Sequence, residues 1–476
     1  MKKWTLGEVA HLADGVLVKG NKETVIDRVV IDSRVATPGC LFIPLRGERV
    51  DGHRFIADAA GRGAVATLAG CAWLESNPLP QIEVIRVGDT GIALQQWARR
   101  YLTHLPARIV GVTGSTGKTT TKEMIAAVLQ ASFCVLKNEG NLNTEIGLPL
   151  TVIQAEPQHE LLVLEMAMRG KGEIKQLTEI AVPDIAVITN VGEAHIELLG
   201  SLEQIAETKG EILEGMADDG IAVLNGDDEQ VLAQAPKAPG DIIYFGVGRK
   251  PEQTRRLSAV EFTNKGDCLE FVIEWQGERR EVFFPWPGQH NVYNATAALA
   301  VGLACGMTLN QAIEGLASYR PAQNRLNIHT VRGFTVIDDT YNANPTSMRV
   351  GLRVLQEYPQ ASRRVAVLGD MLELGDLAEE AHFQLGELVA EQGLDELLTV
   401  GELARSIARG AIAGGLAPHK VRSFATNQEA AAYLLATQVP GQLLLIKGSR
   451  GMQMEEIVEV LLGEEGEADD SGNAPA

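Results

Sequence analysis

Short runs of apolar residues alternate with longer, helix-like segments through most of the chain. In the central region these runs span residues 108–112, 161–164, 184–188 and 221–224. Continuous apolar runs of this length are typical of strands that helices cover on both faces of a sheet. The pattern therefore predicts an α/β fold built on a mainly parallel sheet.

The pattern differs in two other parts of the chain. Residues 1–85 carry short β-like runs, for instance at 28–31 and 40–44, which Gly and Asp turns separate. Residues 257–287 include stretches in which apolar and polar positions alternate, and this predicts an antiparallel insert followed by a helix at 291–303. These changes indicate a small N-terminal domain and a larger central domain.

The last third of the chain repeats the α/β rhythm. Its predicted strands lie at residues 335–337, 365–368, 397–400 and 443–446, and its predicted helices at 377–392 and 428–437. Open α/β sheets bind ligands at the carboxyl ends of their strands, so the polar residues that follow these strands are candidate site residues. We expect three α/β domains and a disordered acidic tail, with bounds of 1–85, 86–320, 321–462 and 463–476.

Composition narrows the class of protein. The 476 residues include 42 Lys and Arg against 62 Asp and Glu, for a formal net charge of −20, and 45% are hydrophobic. This balance is typical of a globular protein and argues against non-specific nucleic-acid binding, which needs clustered cations. The first residues contain no signal-like apolar run, no stretch resembles a membrane span, and the five cysteines are scattered. We expect a cytoplasmic monomer that binds neither nucleic acid nor membrane.

A glycine-rich segment follows the first central strand. It reads Gly-Val-Thr-Gly-Ser-Thr-Gly-Lys-Thr at residues 111–119 and precedes a predicted helix at 120–129. A glycine loop between a strand and a helix is typical of a phosphate-binding loop, whose backbone N–H groups approach the phosphates of a nucleotide. The spacing departs from the common pattern, because Val112 stands where that pattern has its first glycine.

The side chains of this loop suit a nucleotide triphosphate and its metal ion. Lys118 supplies a positive charge, and the Thr119 hydroxyl supplies a ligand for Mg²⁺. The segment therefore predicts an ATP site that contains Thr113, Gly114, Ser115, Thr116, Gly117, Lys118 and Thr119.

Further motifs follow the loop in order. They lie at residues 141–149, 165–167, 189–195, 209–212, 225–228, 288–294 and 338–345. Together with the loop they resemble the Mur ligase family, the ATP-dependent enzymes that assemble the stem peptide of peptidoglycan. Within that family, Tyr-Asn-Ala-Asn-Pro at 341–345 and Leu-Gly-Asp-Met-Leu-Glu-Leu-Gly at 368–375 resemble the member that acts on D-Ala-D-Ala.

The resemblance implies a role for each domain and a reaction. It implies a first domain for a UDP-sugar peptide, a central ATPase domain and a Rossmann-like C-terminal domain. The terminal carboxylate of UDP-N-acetylmuramoyl-tripeptide would attack the γ-phosphate of ATP, and the amine of D-Ala-D-Ala would displace phosphate from the acyl phosphate. The expected cofactors are ATP, two Mg²⁺ ions and CO₂ for a carbamylated lysine.

Such chemistry needs cations, because it brings a carboxylate to an anionic triphosphate. Two unit charges about 4 Å apart repel each other by about 4 kcal/mol at an effective dielectric constant near 20. Glu165 directly follows an apolar run, where its carboxylate is either a metal ligand or a solvated group, and the resemblance favours the metal. The resemblance also implies that His195 helps bind a second Mg²⁺. Lys209, which otherwise reads as a surface lysine, would orient that ion as a carbamate.

The resemblance assigns further contacts to the nucleotide. It places Asn291 at the adenine, Arg325 at a phosphate and Asp339 at the ribose. Asn324 stands where relatives often have Gly before the arginine, and Asn also tolerates a positive φ. If Arg325 and Asp339 both reach ATP, the domains must close over it and exclude water from the acyl phosphate.

Other residues are assigned to the two substrates on the same basis. Ser33 and Arg34 would contact UDP, and Asn143 and Thr144 would lie near the muramoyl-peptide or the reacting phosphate. The pocket for D-Ala-D-Ala is expected to contain Tyr341, Asn342 and Asn344, with Lys447, Ser449 and Arg450 nearby.

Three alternatives make different predictions. The ligase that adds diaminopimelate or lysine typically carries an Asp-Asn-Pro-Arg motif, and this string does not occur here. Folylpolyglutamate synthase shares the ATPase core but normally lacks the N-terminal Asp-Ser-Arg domain. A P-loop ATPase switch would turn over ATP without a carboxylate substrate and needs no Tyr-Asn-Ala-Asn-Pro segment.

Overall fold

The computed structural model describes residues 2–47, 49–193, 196–359 and 361–463. These residues form sheets of two, five, nine and six strands, with helices packed against them. The predicted class, α/β domains with mainly parallel sheets, is confirmed. Among these residues, no helix is both long and apolar enough to cross a bilayer.

The N-terminal domain is built on the five-stranded sheet, in the order β2-β7-β6-β5-β4, and strands β4 to β7 run parallel. Strands β1 and β3 form a separate antiparallel pair. Its elements are β1 (Trp4–Thr5), α1 (Leu6–Leu12), β2 (Val16–Lys19), β3 (Val25–Ile26), β4 (Arg28–Val30), β5 (Cys40–Phe42), α2 (Ile56–Gly61), β6 (Ala66–Gly70), α3 (Cys71–Ser76), β7 (Glu83–Val87) and α4 (Thr90–Leu102).

The core of this domain continues into the central domain. The ring of Trp4 packs edge-on against Trp97 and Tyr101, and the Tyr101 hydroxyl donates a 2.7 Å hydrogen bond to the carbonyl of Ala155. The boundary that the apolar pattern predicts at residue 85 lies within β7 and therefore inside the five-stranded sheet. We propose instead that the first domain runs through α4 and that the junction is the turn at 103–107.

The central domain contains the nine-stranded sheet, in the order β16-β15-β14-β13-β12-β11-β8-β10-β9. Its elements are β8 (Arg108–Thr113), α5 (Lys118–Gln130), β9 (Val135–Lys137), α6 (Gly147–Val152), β10 (Leu161–Glu165), α7 (Glu173–Ile180), β11 (Ile185–Ile188), α8 (Ile196–Leu199), α9 (Leu202–Glu214), β12 (Ile221–Asn225), α10 (Glu229–Leu232), β13 (Asp241–Val247), β14 (Arg256–Asn264), β15 (Leu269–Trp275), β16 (Glu278–Phe284), α11 (His290–Ala304) and α12 (Leu309–Ala317).

Neighbouring strands from β9 to β14 in this sheet pair in parallel, and β14, β15 and β16 pair antiparallel. The predicted antiparallel segment is thus the edge of the main sheet rather than a separate insert. Helices α5, α11 and α12 cover one face, while α7 and α9 cover the other. This two-sided cover explains the continuous apolar runs.

The C-terminal domain contains the six-stranded sheet, in the order β17-β18-β22-β19-β20-β21, in which only β17 is antiparallel to its neighbour within the described part of the chain. Its elements are β17 (Asn327–Val331), β18 (Phe334–Asp338), α13 (Pro345–Glu357), β19 (Arg363–Gly369), α14 (Ala378–Glu391), β20 (Glu396–Val400), α15 (Ala404–Ala413), β21 (Val421–Phe424), α16 (Asn427–Thr437), β22 (Gln442–Lys447) and α17 (Glu455–Leu462).

A carboxylate at the start of β20 ties three elements of this domain together. Glu396 is 5% exposed and accepts hydrogen bonds from Arg363 at 2.6 Å, from the Tyr433 hydroxyl at 2.5 Å and from Arg422 at 3.3 Å. Replacing Glu396 with alanine leaves these donors unpaired, so we expect a loss of about 3 kcal/mol in the free energy of unfolding. Calorimetric melting should record a fall of about 8 °C in the Tm of this domain.

The matched control is Glu402→Ala, which removes an exposed carboxylate 3.6 Å from Arg405. Because exposed ion pairs contribute little, its Tm should stay within about 1 °C of the parent. Equal melting of the two variants would contradict the role given to Glu396.

Candidate active site

A cleft of about 1590 Å³ opens at the carboxyl ends of strands from two domains. The central domain contributes residues at the ends of β10, β11 and β12, and the C-terminal domain contributes residues that follow β18 and end β22. Predicted site residues that line the cleft are Ser115, Thr116, Gly117, Lys118, Thr119, Asn143, Thr144, Glu165, Asn291, Arg325, Asp339, Tyr341, Asn342, Asn344, Lys447 and Arg450.

The glycine-rich loop lies between β8 and α5, as predicted. Gly117 has φ 74° and precedes the first helical residue, a left-handed conformation that glycine adopts without steric cost. Gly114 has φ 152°, and a Cβ there would lie 1.9 Å from the Thr189 hydroxyl oxygen. A Cβ at Gly117 would lie 2.8 Å from the Asn294 amide oxygen, so a side chain is strained at both positions. The backbone N–H groups at the start of α5 are donors that suit an anion. Thr113 and Gly114 stand behind the cleft and do not line it.

The residues after β11 hold the loop in place. The Asn190 carboxamide accepts from the Thr116 N–H at 2.9 Å and donates to the Thr116 carbonyl at 3.0 Å. The Ser115 hydroxyl exchanges hydrogen bonds with the backbone of Gly192 at 2.8 and 3.0 Å. These contacts fix the shape of the loop before any ligand binds.

The Lys118 ammonium folds back over the loop. Its Nζ donates to the carbonyl oxygens of Gly114 at 2.9 Å and Ser115 at 3.4 Å. Burial lowers the pKa of Lys118, and the nearby Glu165 carboxylate opposes that shift. Carbonyl groups satisfy this cation only in part, so an anionic phosphate is the partner that its position suits.

Glu165 ends β10 opposite the loop. It is 3% exposed, and its two carboxylate oxygens accept hydrogen bonds from the Thr119 hydroxyl and the Asn143 amide, both at 2.8 Å. Hydroxyl and carboxylate oxygens in contact form a donor set that a hard cation such as Mg²⁺ prefers. The chemistry of Thr119 and Glu165 thus fits a magnesium ion next to the phosphate loop.

Lys209 lies on α9 and is 2% exposed. Burial lowers its pKa well below the usual range, and the positive charge of Lys118 adds to the effect. Its ammonium makes no hydrogen bond or ion pair within the described residues, and its side chain does not line the cleft. It is therefore a buried, unpaired amine rather than the surface lysine that the pattern alone suggests.

His195, the other predicted ligand of a second metal ion, lies outside the described residues. Among the residues that are described, no cluster of three or more His, Cys, Asp or Glu side chains is arranged to hold a metal.

A chain of buried amides crosses from α5 to the far wall of the cleft. The Thr121 hydroxyl donates to Asn294 at 3.2 Å, Asn294 donates to Asn291 at 3.0 Å, and Asn291 donates to the Pro287 carbonyl at 2.7 Å. Trp286 lines the same wall, and its indole N–H is buried without a partner in the described structure. Asn291 is thus held in the wall of the cleft by bonds to both ends of its amide.

The linker between the two domains carries Arg325 into the cleft. The guanidinium lies 4.0 Å from the centre of the Tyr341 ring, and its Nε is buried without a hydrogen-bond partner in the described residues. Asn324 has a φ of 61°, a left-handed conformation that asparagine tolerates. Its side chain donates to the Thr340 hydroxyl at 3.0 Å. An unsatisfied donor on a fixed guanidinium suits an anionic group.

Asp339 and Lys447 form an ion pair at the carboxyl edge of the C-terminal sheet. Their charged atoms lie 2.6 Å apart, and Lys447, which is 2% exposed, also donates to the Asn342 carbonyl at 2.9 Å. His290, at the start of α11, faces this pair across the cleft. Burial lowers the pKa of His290 to about 4, so its imidazole is neutral at neutral pH.

The remaining residues predicted for the D-Ala-D-Ala pocket cluster around this pair. Asn344 caps α13 by accepting from the Ser347 N–H at 2.8 Å, and Asn342 accepts weakly from the Arg450 N–H at 3.4 Å. Ser449 does not line the cleft, because its hydroxyl accepts from the Leu372 N–H at 2.9 Å.

Ser33 and Arg34 do not line this cleft. Arg34 is exposed and pairs with Asp32 at 2.7 Å, and hydrogen bonds from Arg34 lower the pKa of Asp32 to about 2. Ser33 is buried beside them in the N-terminal domain. Any ligand that contacts both these residues and the cleft must therefore span two domains.

Sequence reasoning missed several residues that shape the cleft. Asn190 and His290 lie inside motifs that the resemblance had marked, yet their contacts depend on partners distant in the chain. Trp286 and Tyr319, whose rings pack edge-to-face, carried no signal beyond their aromatic type.

Fold and site together define a multidomain α/β protein with a phosphate-binding loop that faces a carboxylate in an interdomain cleft. The chain belongs to the Mur ligase family. Residues 25–101 match the family model described as Mur ligase family, catalytic domain, residues 112–302 match the Mur ligase middle domain, and residues 324–450 match the Mur ligase, glutamate ligase domain.

Two relatives of similar length carry the same name. A UDP-N-acetylmuramoyl-tripeptide–D-alanyl-D-alanine ligase from Bacillus subtilis (strain 168) is 41% identical over 466 residues, which cover 97% of this chain and 99% of that protein. A protein of the same name from Escherichia coli (strain K12) is 34% identical, over 96% of this chain and 98% of that protein.

Solved structures of ligases with a related name superpose on this chain over most of its length. MurF from Acinetobacter baumannii superposes with a TM-score of 0.86 at 32% identity, covering 97% of this chain and 99% of that one. MurF ligase from Thermotoga maritima, solved in complex with ADP, superposes with a TM-score of 0.79 at 31% identity, covering 92% of this chain and 98% of that one.

Proposed function

We propose that this chain is an ATP-dependent ligase that joins D-Ala-D-Ala to UDP-N-acetylmuramoyl-tripeptide and releases ADP and phosphate. The observation that carries the proposal is that the phosphate loop, Glu165 and the segment at 339–344 line one cleft between two domains. Full-length relatives at 41% and 34% identity bear the name of this activity.

The first step brings two anions together. The tripeptide carboxylate attacks the γ-phosphorus, a P–O bond to ADP breaks, and an acyl phosphate forms. Lys118 and the N–H groups at the start of α5 bind the phosphates, and the Arg325 guanidinium, which lines the cleft, supplies a second cation from the linker. These positive groups offset a repulsion of about 4 kcal/mol.

Thr119 and Glu165 are the residues that would hold Mg²⁺ beside the loop. When bound, the ion supplies positive charge to the phosphate oxygens and orients them. The 2.8 Å contact between these two side chains keeps both oxygens at one point of the cleft. We include His195 as a ligand of a second ion on the basis of the family motif alone.

Lys209 would take part as a carbamate. Its lowered pKa leaves more of the amine uncharged than in an exposed lysine. The ammonium first gives up one proton to solvent. The uncharged nitrogen then attacks CO₂, a C–N bond forms as one C=O π bond opens, and a second proton leaves to solvent. The loss of two protons in all converts a buried cation into an anion with two oxygens. That anion also removes the repulsion between Lys209 and Lys118.

The second step needs a site for the dipeptide next to the acyl phosphate. The amine of D-Ala-D-Ala attacks the acyl carbon, phosphate leaves, and the amine loses a proton. Asn342, Asn344 and Arg450 line the cleft on this side, and the cation of Arg450 suits the dipeptide carboxylate. Ser33 and Arg34 would hold the UDP end of the other substrate, with the protein acting as a cytoplasmic monomer.

The proposal predicts that ATP turnover requires both partners. Phosphate release should be close to background with either UDP-N-acetylmuramoyl-tripeptide or D-Ala-D-Ala alone, and both together should yield ADP, phosphate and the pentapeptide. With ¹⁸O in the tripeptide carboxylate, one labelled oxygen should appear in the released phosphate, because the carboxylate oxygen attacks phosphorus. Equal hydrolysis without tripeptide, or phosphate free of label, would contradict the mechanism.

A further inference from the structure

Asn138 lies directly after β9 and is 1% exposed. Its Oδ1 accepts from the Glu165 N–H at 2.9 Å, and its Nδ2 donates to the Glu165 carbonyl at 3.1 Å and to the Leu142 carbonyl at 2.8 Å. All the polar atoms of this side chain are therefore engaged, and two of the three bonds end on the backbone of one residue.

This arrangement continues a sheet beyond the end of its strand. Strand β9 pairs in parallel with β10 up to Lys137 opposite Val163 and then stops. Past that point, the Asn138 carboxamide offers Glu165 the one acceptor and one donor that a peptide group of the neighbouring strand would have offered. The Glu165 backbone is thereby held between this amide and Val112 of β8.

The same side chain also holds the loop that orients the Glu165 carboxylate. Its bond to Leu142 anchors the residues before Asn143, whose amide donates to the carboxylate at 2.8 Å. The Asn138 carbonyl accepts in turn from Lys122, a fully buried residue of α5. One asparagine thus links the helix of the phosphate loop, the backbone of Glu165 and the loop that fixes its carboxylate.

We propose that Asn138 is a positioning residue that sets the direction of the Glu165 carboxylate toward Mg²⁺. The proposal rests on the proposed function, in which Glu165 holds the ion. Other side chains do not reproduce these three hydrogen bonds. Aspartate accepts but does not donate, and glutamine is longer by one methylene. Alanine leaves the buried N–H and C=O of Glu165 unpaired. Residues that orient metal ligands typically change metal affinity by about 10- to 100-fold when replaced.

The test measures how strongly Mg²⁺ and ADP promote each other's binding. Calorimetric Kd values for ADP are determined with Mg²⁺ and with EDTA, for the parent chain and for Asn138→Ala. The ratio of the two Kd values should fall about tenfold in the variant, because the metal loses its oriented ligand. The Kd in EDTA should stay within about twofold, since the loop contacts with Asn190 remain.

Two further variants separate positioning from general loss of stability. Tyr101→Phe removes a buried 2.7 Å hydrogen bond outside the cleft and should leave the Kd ratio unchanged. If Asn138→Ala does not fold, the ratio of Kd values can be measured in Asn138→Ser, whose side chain is too short to reach both backbone groups of Glu165. An unchanged ratio, or an equal loss of affinity with and without Mg²⁺, would overturn the assignment. Failure of the parent chain to ligate would instead count against the proposed function.

Discussion

Replacement of Lys118 by methionine is expected to lower kcat/KM for ligation by about 1000-fold. The loss follows from removing the cation that the loop holds 2.9 Å from the Gly114 carbonyl, where the phosphates of ATP are expected to bind. Methionine keeps the length and most of the volume of the side chain, so the change isolates the charge. Steady-state phosphate release in the presence of both substrates measures the effect.

The same variant should not lose stability. Burial lowers the pKa of Lys118, which means that the folded protein disfavours its charged form. Below the usual lysine pKa, that penalty is present in the parent chain and absent from the methionine variant. The Tm of Lys118→Met should therefore equal or exceed that of the parent, which separates lost catalysis from misfolding.

Lys265→Met is the matched control. Lys265 lies in the turn between β14 and β15, half-exposed, and its ion pair with Glu270 spans 3.4 Å. Its removal should leave ligation within about twofold of the parent rate. Retention of more than about a tenth of parental activity by Lys118→Met would show that the ammonium is not the main phosphate cation.

Local sequence patterns predicted the elements well because their causes are local. Helices cover the central sheet on both faces, so its strands are continuous apolar runs, and the predicted run at 161–164 lies within β10, which extends one residue further to Glu165. Gly114 and Gly117 marked the loop because a side chain at either position meets a neighbour: a Cβ at Gly114 would lie 1.9 Å from the Thr189 hydroxyl oxygen, and one at Gly117 would lie 2.8 Å from the Asn294 amide oxygen.

Features that depend on residues distant in the sequence, such as sheet membership, burial and side-chain contacts, could not be predicted from local patterns. The pattern predicts a boundary at residue 85, inside β7, because a short apolar strand carries no mark of the sheet it joins. Lys209 resembles a solvated lysine in sequence, and only the packing of α9 shows that it is buried, with no hydrogen bond or ion pair to another described residue. Asn138 follows a strand of three residues, and its role depends on Glu165, 27 positions away.

The roles of the site residues came from the resemblance rather than from the pattern. The structure places Lys118, Glu165, Arg325 and Asp339 around one cleft, which a motif list alone does not establish. It places Arg34 elsewhere, paired with Asp32.

Replacement of Lys209 by alanine is expected to reduce ligation by about 100-fold or more, because it removes the only source of a carbamate at this position. A short carboxylate such as formate or acetate should restore part of the activity, since it offers two oxygens to the cavity that alanine leaves. Rates measured against carboxylate concentration should rise and saturate in Lys209→Ala and stay flat in the parent. CO₂-free buffer should lower parental activity reversibly.

Lys175→Ala tests whether rescue is specific to Lys209. Lys175 lies exposed on α7, so its removal should leave the rate within about twofold of the parent and insensitive to added carboxylate. Near-normal activity of Lys209→Ala would remove the carbamate from the mechanism.

The lowered pKa of Lys209 would give the proposed carbamate a characteristic pH dependence. Carbamate forms from the uncharged amine, and burial extends the range of that form to lower pH than in an exposed lysine. Protein labelled with ¹³CO₂ should therefore show a carbamate carbonyl resonance that persists at neutral pH and is absent from Lys209→Ala. Because the positive charge of Lys118 disfavours an ammonium at position 209 and attracts an anion there, we expect a carbamate to be more stable at Lys209 than at an exposed lysine such as Lys175.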